Sequence, residues 1–350
     1  MQKILAECEP NALDCVLLVM PHADSDWAAY LKESQDCVRN IAKAIALDTD
    51  CVIVLPPHAQ GDVSAQQNML GELAMHPRVH ALFAPTNDTW ARDFAPLCAQ
   101  SGDSVMLLKY RFNAWGEKFE SALDNKLALS LDAQGFWRCP LTQSELVLEG
   151  GSIESNGAGT LLTTTSCLLH KQRNPCLDKT QIESWLYAEL GVQQILWLEH
   201  GYLKGDDTDC HIDNLARFID SRTIVYIACE DVNDEHYESL QKMQDELRSF
   251  RDCAGNPFVL VALPFCEPLY YDGERLPASY ANFLMLQNRI LLPTFGSERD
   301  KEAQRILQQH SGREVVPVDC RVLLRQHGGL HCMSMQFVRG TIAFENLKRF

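Results

Sequence analysis

The chain has 350 residues and carries Lys+Arg 31 against Asp+Glu 47, a formal net charge of −16. Charged residues make up 22% and apolar residues 46% of it, which excludes a disordered or fibrous chain and fits a globular one. The acidic balance argues against a nucleic-acid or anionic-membrane surface as the main partner; it suits a cationic small molecule, and equally plain solubility.

In chain order, short apolar runs at 16–20, 51–55, 79–84 and 105–108 predict strands. Further runs follow at 146–148, 160–163, 195–198, 223–229, 258–263, 290–293, 315–318 and 333–337. Each is rich in Val, Ile or Leu and many are bounded by Pro, Gly or Asp, as buried strands are. Helical periodicity falls between some of them. Trp27, Leu31, Val38, Ile41 and Ile45 lie near a 3.6-residue repeat. Asp178 with Gln181 reads as a capping box, and Gly191 as the stop of that helix. A third helix is predicted over 234–250, and a fourth from a Ser297 cap to Gly312. Strands alternating with helices predict an α/β fold. No linker or composition break divides the chain, so one domain of strand-rich units is preferred to two halves.

Fourteen cysteines include no Cys-x-x-Cys pair, which removes zinc ribbons, thioredoxin-like motifs and iron–sulfur runs. The first residues show no signal-peptide core, and no apolar stretch reaches membrane-span length. The expectation is a reducing cytoplasm, with most cysteines serving as small core residues.

Four segments carry polar residues beside apolar runs. In Thr86-Asn-Asp-Thr-Trp-Ala-Arg-Asp93, Trp90 and Asp93 can hold a planar cation, the indole offering a face and the carboxylate paired hydrogen bonds; a solvated Asp–Arg pair is the plainer reading. In Glu149-Gly-Gly-Ser-Ile-Glu154, paired glycines beside an acid signal close backbone approach, or only a hairpin bulge. The stretch 205–214 crowds Asp207, Asp209, Cys210 and His211 close to His200, yet matches no zinc or EF-hand spacing. There His211 and Asp213, two apart, point to one face if the segment is extended. In His327-Gly-Gly-Leu-His-Cys332, two glycines lead to a cysteine at the head of a strand, with no papain or caspase signature.

Together these segments resemble the agmatine deiminase branch of the guanidine-modifying (pentein) superfamily, close to the bacterial-type peptidyl-arginine deiminases. The matches are Asn87-Asp-Thr-Trp-Ala-Arg-Asp93, Phe112-Asn-Ala-Trp-Gly116, Glu149-Gly-Gly-Ser-Ile153, Arg173-Asn-Pro175, His211-Ile-Asp-Asn-Leu-Ala-Arg217, Asn282-Phe-Leu284 and Gly328-Gly-Leu-His-Cys332. Their order and spacing agree over nearly the whole chain. The resemblance implies a five-bladed α/β propeller of pseudo-fivefold ββαβ units, as one catalytic domain over 1–350. It implies Cys332 as nucleophile, His211 as general acid/base oriented by Glu149, and Asp93 and Asp213 as carboxylates gripping the guanidinium, with Trp90 beside its plane. No metal and no organic cofactor are required. The implied reaction is hydrolysis of agmatine to N-carbamoylputrescine and ammonia through a covalent Cys-amidino intermediate; a homodimer is the family-based expectation.

Free or peptidyl arginine is the nearest alternative substrate, amidino transfer to an amine a further one, and a silent guanidine- or polyamine-binding protein the reading from another class. The chain departs from the family where Cys8 and Met20 replace tryptophans and where Glu117 replaces a second glycine. The end of the pocket that receives the substrate's tail is therefore where a difference is expected.

Overall fold

The structure is a computed structural model and describes residues 2–9 and 12–347. Pro10, two residues beyond Cys8, lies outside the described residues.

Five small sheets among the described residues repeat one plan: an antiparallel pair, then a parallel strand reached through a helix. Parallel neighbours demand such a crossover. In the first, Leu13–Val19 pairs antiparallel with Ser334–Val338 and parallel with Asp50–Leu55, which pairs parallel with Val79–Phe83. In the second, Ser104–Arg111 lies between Leu97–Ser101 and Leu141–Val147, with Gln2–Ile4 added at the edge. Thr160–Thr164 lies between Ile153–Ser155 and Gln194–Leu198. Thr223–Ala228 lies between Ala216–Phe218 and Val259–Pro264, and Arg289–Thr294 between Leu284–Met285 and Glu314–Asp319. The crossover helices are Leu31–Ala46, Leu127–Ala133, Lys179–Leu190, Tyr237–Ser249 and Asp300–Ser311. The α/β class is as expected, and each of the twelve apolar runs lies on a strand.

The strands that sequence reading missed, such as Ile153–Ser155, Ala216–Phe218 and Leu284–Met285, are two or three residues long. They are too short to show a period. The expected box on Lys179–Leu190 forms, with Asp178 accepting from the Gln181 N–H and the Gln181 side chain from the Asp178 N–H. Ser297 does not cap its helix, which begins at Asp300. The Asp300 carboxylate instead accepts from the N–H groups of Phe295 and Gly296, and Ser297 accepts from the Arg299 N–H.

The helix Leu31–Ala46 shows how burial follows the period: Cys37, Val38, Ile41, Ala42 and Ile45 form its buried face. Among the cysteines, Cys15, Cys51, Cys167 and Cys320 are wholly buried, and all fourteen are free thiols. No helix among the described residues is long and apolar enough to cross a membrane.

Five connections run from the last strand of one sheet to the first strand of the next. They span 84–96, 148–152, 199–215, 265–283 and 320–333. Every residue singled out above for chemistry lies in one of them.

Candidate active site

Each connection delivers one or two side chains to a common point. Asp93 sits in the short helix Ala91–Phe94, buried, so the solvated Asp–Arg reading fails. Its neighbour Arg92 turns away to Glu7 and Gln336. Asp93 is held from two sides: Trp115 Nε1 donates to Oδ2 at 3.0 Å and the Gly151 N–H to Oδ1 at 3.0 Å. Gly151 is glycine for a steric reason. A Cβ there would lie 2.7 Å from His211 Nδ1 and 2.9 Å from carboxylate oxygens of both Asp93 and Asp213.

His211 and Asp213 do face one point, but not on a strand. His211 precedes a 3-10 turn, Ile212–Asn214, that contains Asp213. That tight turn, rather than strand alternation, brings the two side chains round Gly151. His211 Nδ1 is 3.7 Å from Asp93 Oδ1. Both ring nitrogens and Asp213 Oδ1 are buried without a hydrogen-bond partner. Buried polar atoms left open at one point are what a polar ligand would satisfy.

Glu149 is fully buried, and both its oxygens accept from Arg173 Nε, at 2.9 and 3.0 Å. Arg173 also donates to Asp209 Oδ2 and the Thr208 carbonyl. Glu149, Cys167 and His211 offer ligand-type atoms within 4.8 Å of one another. The guanidinium on Glu149 leaves that cluster poorly suited to a cation. The crowded set weighed from sequence does not assemble there, since His200 pairs with Glu246.

Cys332 lies two residues before Ser334–Val338, buried, with its Sγ 3.1 Å from Asn282 Nδ2, which donates to it, and 3.7 Å from Asp213 Oδ2. Gly328 lets the chain pass under Trp90, where a Cβ would lie 2.2 Å from the ring. Trp90 in turn packs on Trp27 with centroids 5.6 Å apart.

The electrostatics differ from one acid to the other. Burial lifts Asp93 to about 6, against the pull of His211. Burial acts on Asp213 too, but the hydrogen bond from His331, with the charge of His211, holds it below the usual range. Burial opposes a charge on His211, yet Asp93 foremost keeps its pKa well above the ordinary value. Burial, Asp213 and Asp93 push the Cys332 thiol far up, against donors from Gly329 and Asn282. These directions favour a thiol on Cys332 and an imidazolium on His211.

A narrow cleft reaches Cys332, lined by Trp90, Trp115 and Phe119 and by Asp26, Asp88 and Asp207. No Lys or Arg among the described residues lines it. Three donors fall on Asp88 Oδ1, from Trp27 Nε1 and from the N–H and hydroxyl of Thr89. Lys118 is engaged nearby with the Asp207 carbonyl at 2.5 Å and Asp209 at 2.8 Å. A roomier cavity lined by Glu7, Arg92, Leu97, Met285 and Met335 contains none of the site residues expected from sequence. Cys8 and Met20 are both buried away from the cleft, Cys8 with its thiol toward the Ser155 carbonyl. The expected difference at the tail end of the pocket therefore does not arise from these two positions.

Sequence reasoning placed Trp115, Arg173, Asn282 and His331 inside motifs but gave them no role. Their partners lie 22 to 118 positions away, so no local spacing signals them.

The fold and the site define a class: α/β proteins that gather a cysteine, a histidine and paired acids at the connections of small repeated sheets. The chain belongs to the Porphyromonas-type peptidyl-arginine deiminase family, whose model matches residues 3–337. It is 32% identical to the agmatine deiminase of Stutzerimonas stutzeri, over 91% of each chain. Among solved structures, it resembles a Cys-to-Ser variant of C. jejuni agmatine deiminase with substrate bound, at 38% identity and a TM-score of 0.90 over 97% of each chain. It also resembles an agmatine deiminase of Enterococcus faecalis, at 26% identity and a TM-score of 0.87 over 97% of this chain and 96% of that one.

Proposed function

We propose that this protein hydrolyses agmatine to N-carbamoylputrescine and ammonia. The observation that carries the choice of substrate is the acidic cleft. Asp26, Asp88 and Asp207 line it, with no Lys or Arg among the described lining residues; burial lifts Asp88 to about 6 and Asp207 to about 7, and a bound cation favours their ionised forms. A substrate with a guanidinium at one end and an ammonium at the other meets opposite charge at both ends. Free arginine would bring its carboxylate toward those acids with no cation to receive it.

The chemistry follows from the residue types. Asp93 and Asp213 grip the planar N–H groups and fix the guanidinium carbon against the sulfur of Cys332. The bound cation offsets the two carboxylates that hold the thiol protonated, so arrival of substrate favours loss of the thiol proton to solvent and leaves the thiolate. The sulfur attacks the carbon, His211 gives its proton to the departing nitrogen, and ammonia leaves an amidino-thioether. His211, now neutral, takes a proton from water as the water attacks. The ureido product leaves and the thiol is restored. Glu149 and Arg173 hold the floor beside His211, and Trp90 flanks the guanidinium plane.

The five repeated sheets support a reading as blades about a pseudo-fivefold axis in one catalytic domain over 1–350. Fourteen free thiols suit a reducing compartment such as the cytoplasm. Ammonia release is measured from agmatine, arginine and arginyl peptides in parallel. Release from agmatine well above the other two is expected, and preference for arginine or a peptide would overturn the substrate assignment.

A further inference from the structure

The two gripping carboxylates are secured differently. Asp93 has an indole and a backbone N–H as donors. Asp213 has one side-chain N–H donor, His331, whose Nδ1 is 2.8 Å from Oδ2. His331 precedes the nucleophile in the chain and is almost wholly buried. Its Nε2 lies 3.0 and 3.1 Å from the two oxygens of Glu7.

Neutral imidazole has a single N–H, so its position must be assigned. Glu7 already accepts from Arg92 Nη1, from Arg217 Nη2 at 2.7 Å and from Gln336 Nε2 at 2.9 Å. Asp213 has no such surplus. The proton therefore belongs on Nδ1, toward Asp213. The backbone fixes the ring as well: the His331 N–H donates to Asn282 Oδ1 at 2.8 Å, the same amide whose Nδ2 meets the sulfur. On the next residue, the Cys332 carbonyl accepts from the Arg92 N–H at 3.1 Å.

We propose that His331 is a positioning residue for guanidinium capture: its Nδ1–H, braced by the Glu7–Arg92–Arg217 cluster, pins Asp213 Oδ2 and leaves Oδ1 open for the substrate. This rests on the guanidine-hydrolysing reading of the site. Removing the donor frees Asp213 to rotate and makes its charge costlier to bury, so loss appears in substrate capture before it appears in the chemical step.

The test compares His331→Ala, His331→Asn and His331→Gln with the wild type by KM and kcat for agmatine and by thermal melting. Asn places its amide N–H near the Nδ1 position, and Gln near Nε2. Expected are a KM raised about tenfold or more in Ala and Gln, and within about threefold of wild type in Asn. A KM unchanged in Ala, or an Asn variant no better than Gln, overturns the proposal. Should His331→Ala fail to fold, the contrast of Asn with Gln decides alone. A wild-type protein that releases no ammonia from any guanidine would overturn the functional reading, and this inference with it.

Discussion

Asp93 and Asp213 are one residue type at one site, held in opposite electrostatic states. Burial raises Asp93 to about 6, whereas His331 and His211 keep Asp213 low despite equal burial. The sign of the stability effect follows. Between the ordinary value of 3.8 and about 6, folded Asp93 binds more protons than unfolded Asp93. Its contribution to stability is therefore lost as pH rises through that window. Asp93→Asn removes the titration, so its melting temperature relative to wild type should improve steadily from pH 4 to pH 6, by an amount equivalent to at most about 3 kcal/mol. A difference independent of pH would contradict the assignment. Cys332→Ala should melt like the wild type and release no ammonia, whereas full activity in that variant would end the nucleophile assignment.

At the scale of elements, the connections rather than the sheets carry the chemistry. The segment Ala114–Glu117 turns left-handed throughout, with φ of 51, 55, 89 and 65°. That turn directs the Trp115 indole to Asp93. Only one of its four residues is a glycine, and Glu117 stands where the family resemblance leads one to expect a second. Glu117→Gly should stabilise the fold by about 1 kcal/mol, measured by chemical denaturation, because a side chain at positive φ costs about that much. Gly151→Ala should lower kcat/KM about a hundredfold while the protein remains folded, because its methyl would lie among His211, Asp93 and Asp213. Near-normal kinetics in that variant would show that the three groups need not converge at Gly151. The strands and long helices were legible in sequence, because apolar runs and 3.6-residue periods are local signals. The turn at His211 was not, because the 3-10 turn Ile212–Asn214 is only three residues long and so shows no period of its own in the sequence.

At the scale of the whole molecule, five sheets of one plan place five connections where Asp93, Glu149, the His211–Asp213 pair, Asn282 and Cys332 can meet. The first and last parts of the chain join in one sheet, through Leu13–Val19 and Ser334–Val338, which brings Cys332 back to the residues of the first half. This arrangement explains why the family motifs are spread over nearly the whole sequence. It also explains which parts of the site were legible. Cys332, His211 and the acids stand inside short motifs, but Glu7, Arg92 and His331 join only through contacts between residues far apart in the chain. The net charge of −16 has a local part in the cleft, where Asp26, Asp88, Asp93 and Asp207 are among the lining residues.

The central claim is attack by the Cys332 sulfur on a guanidinium carbon, and acid quenching during turnover of agmatine, followed by peptide mass spectrometry, tests it most directly. The account predicts an amidino adduct on the peptide containing Cys332 and on no other cysteine peptide. An adduct on a different cysteine, or steady ammonia release with Cys332 never modified in rapid-quench samples, would contradict it.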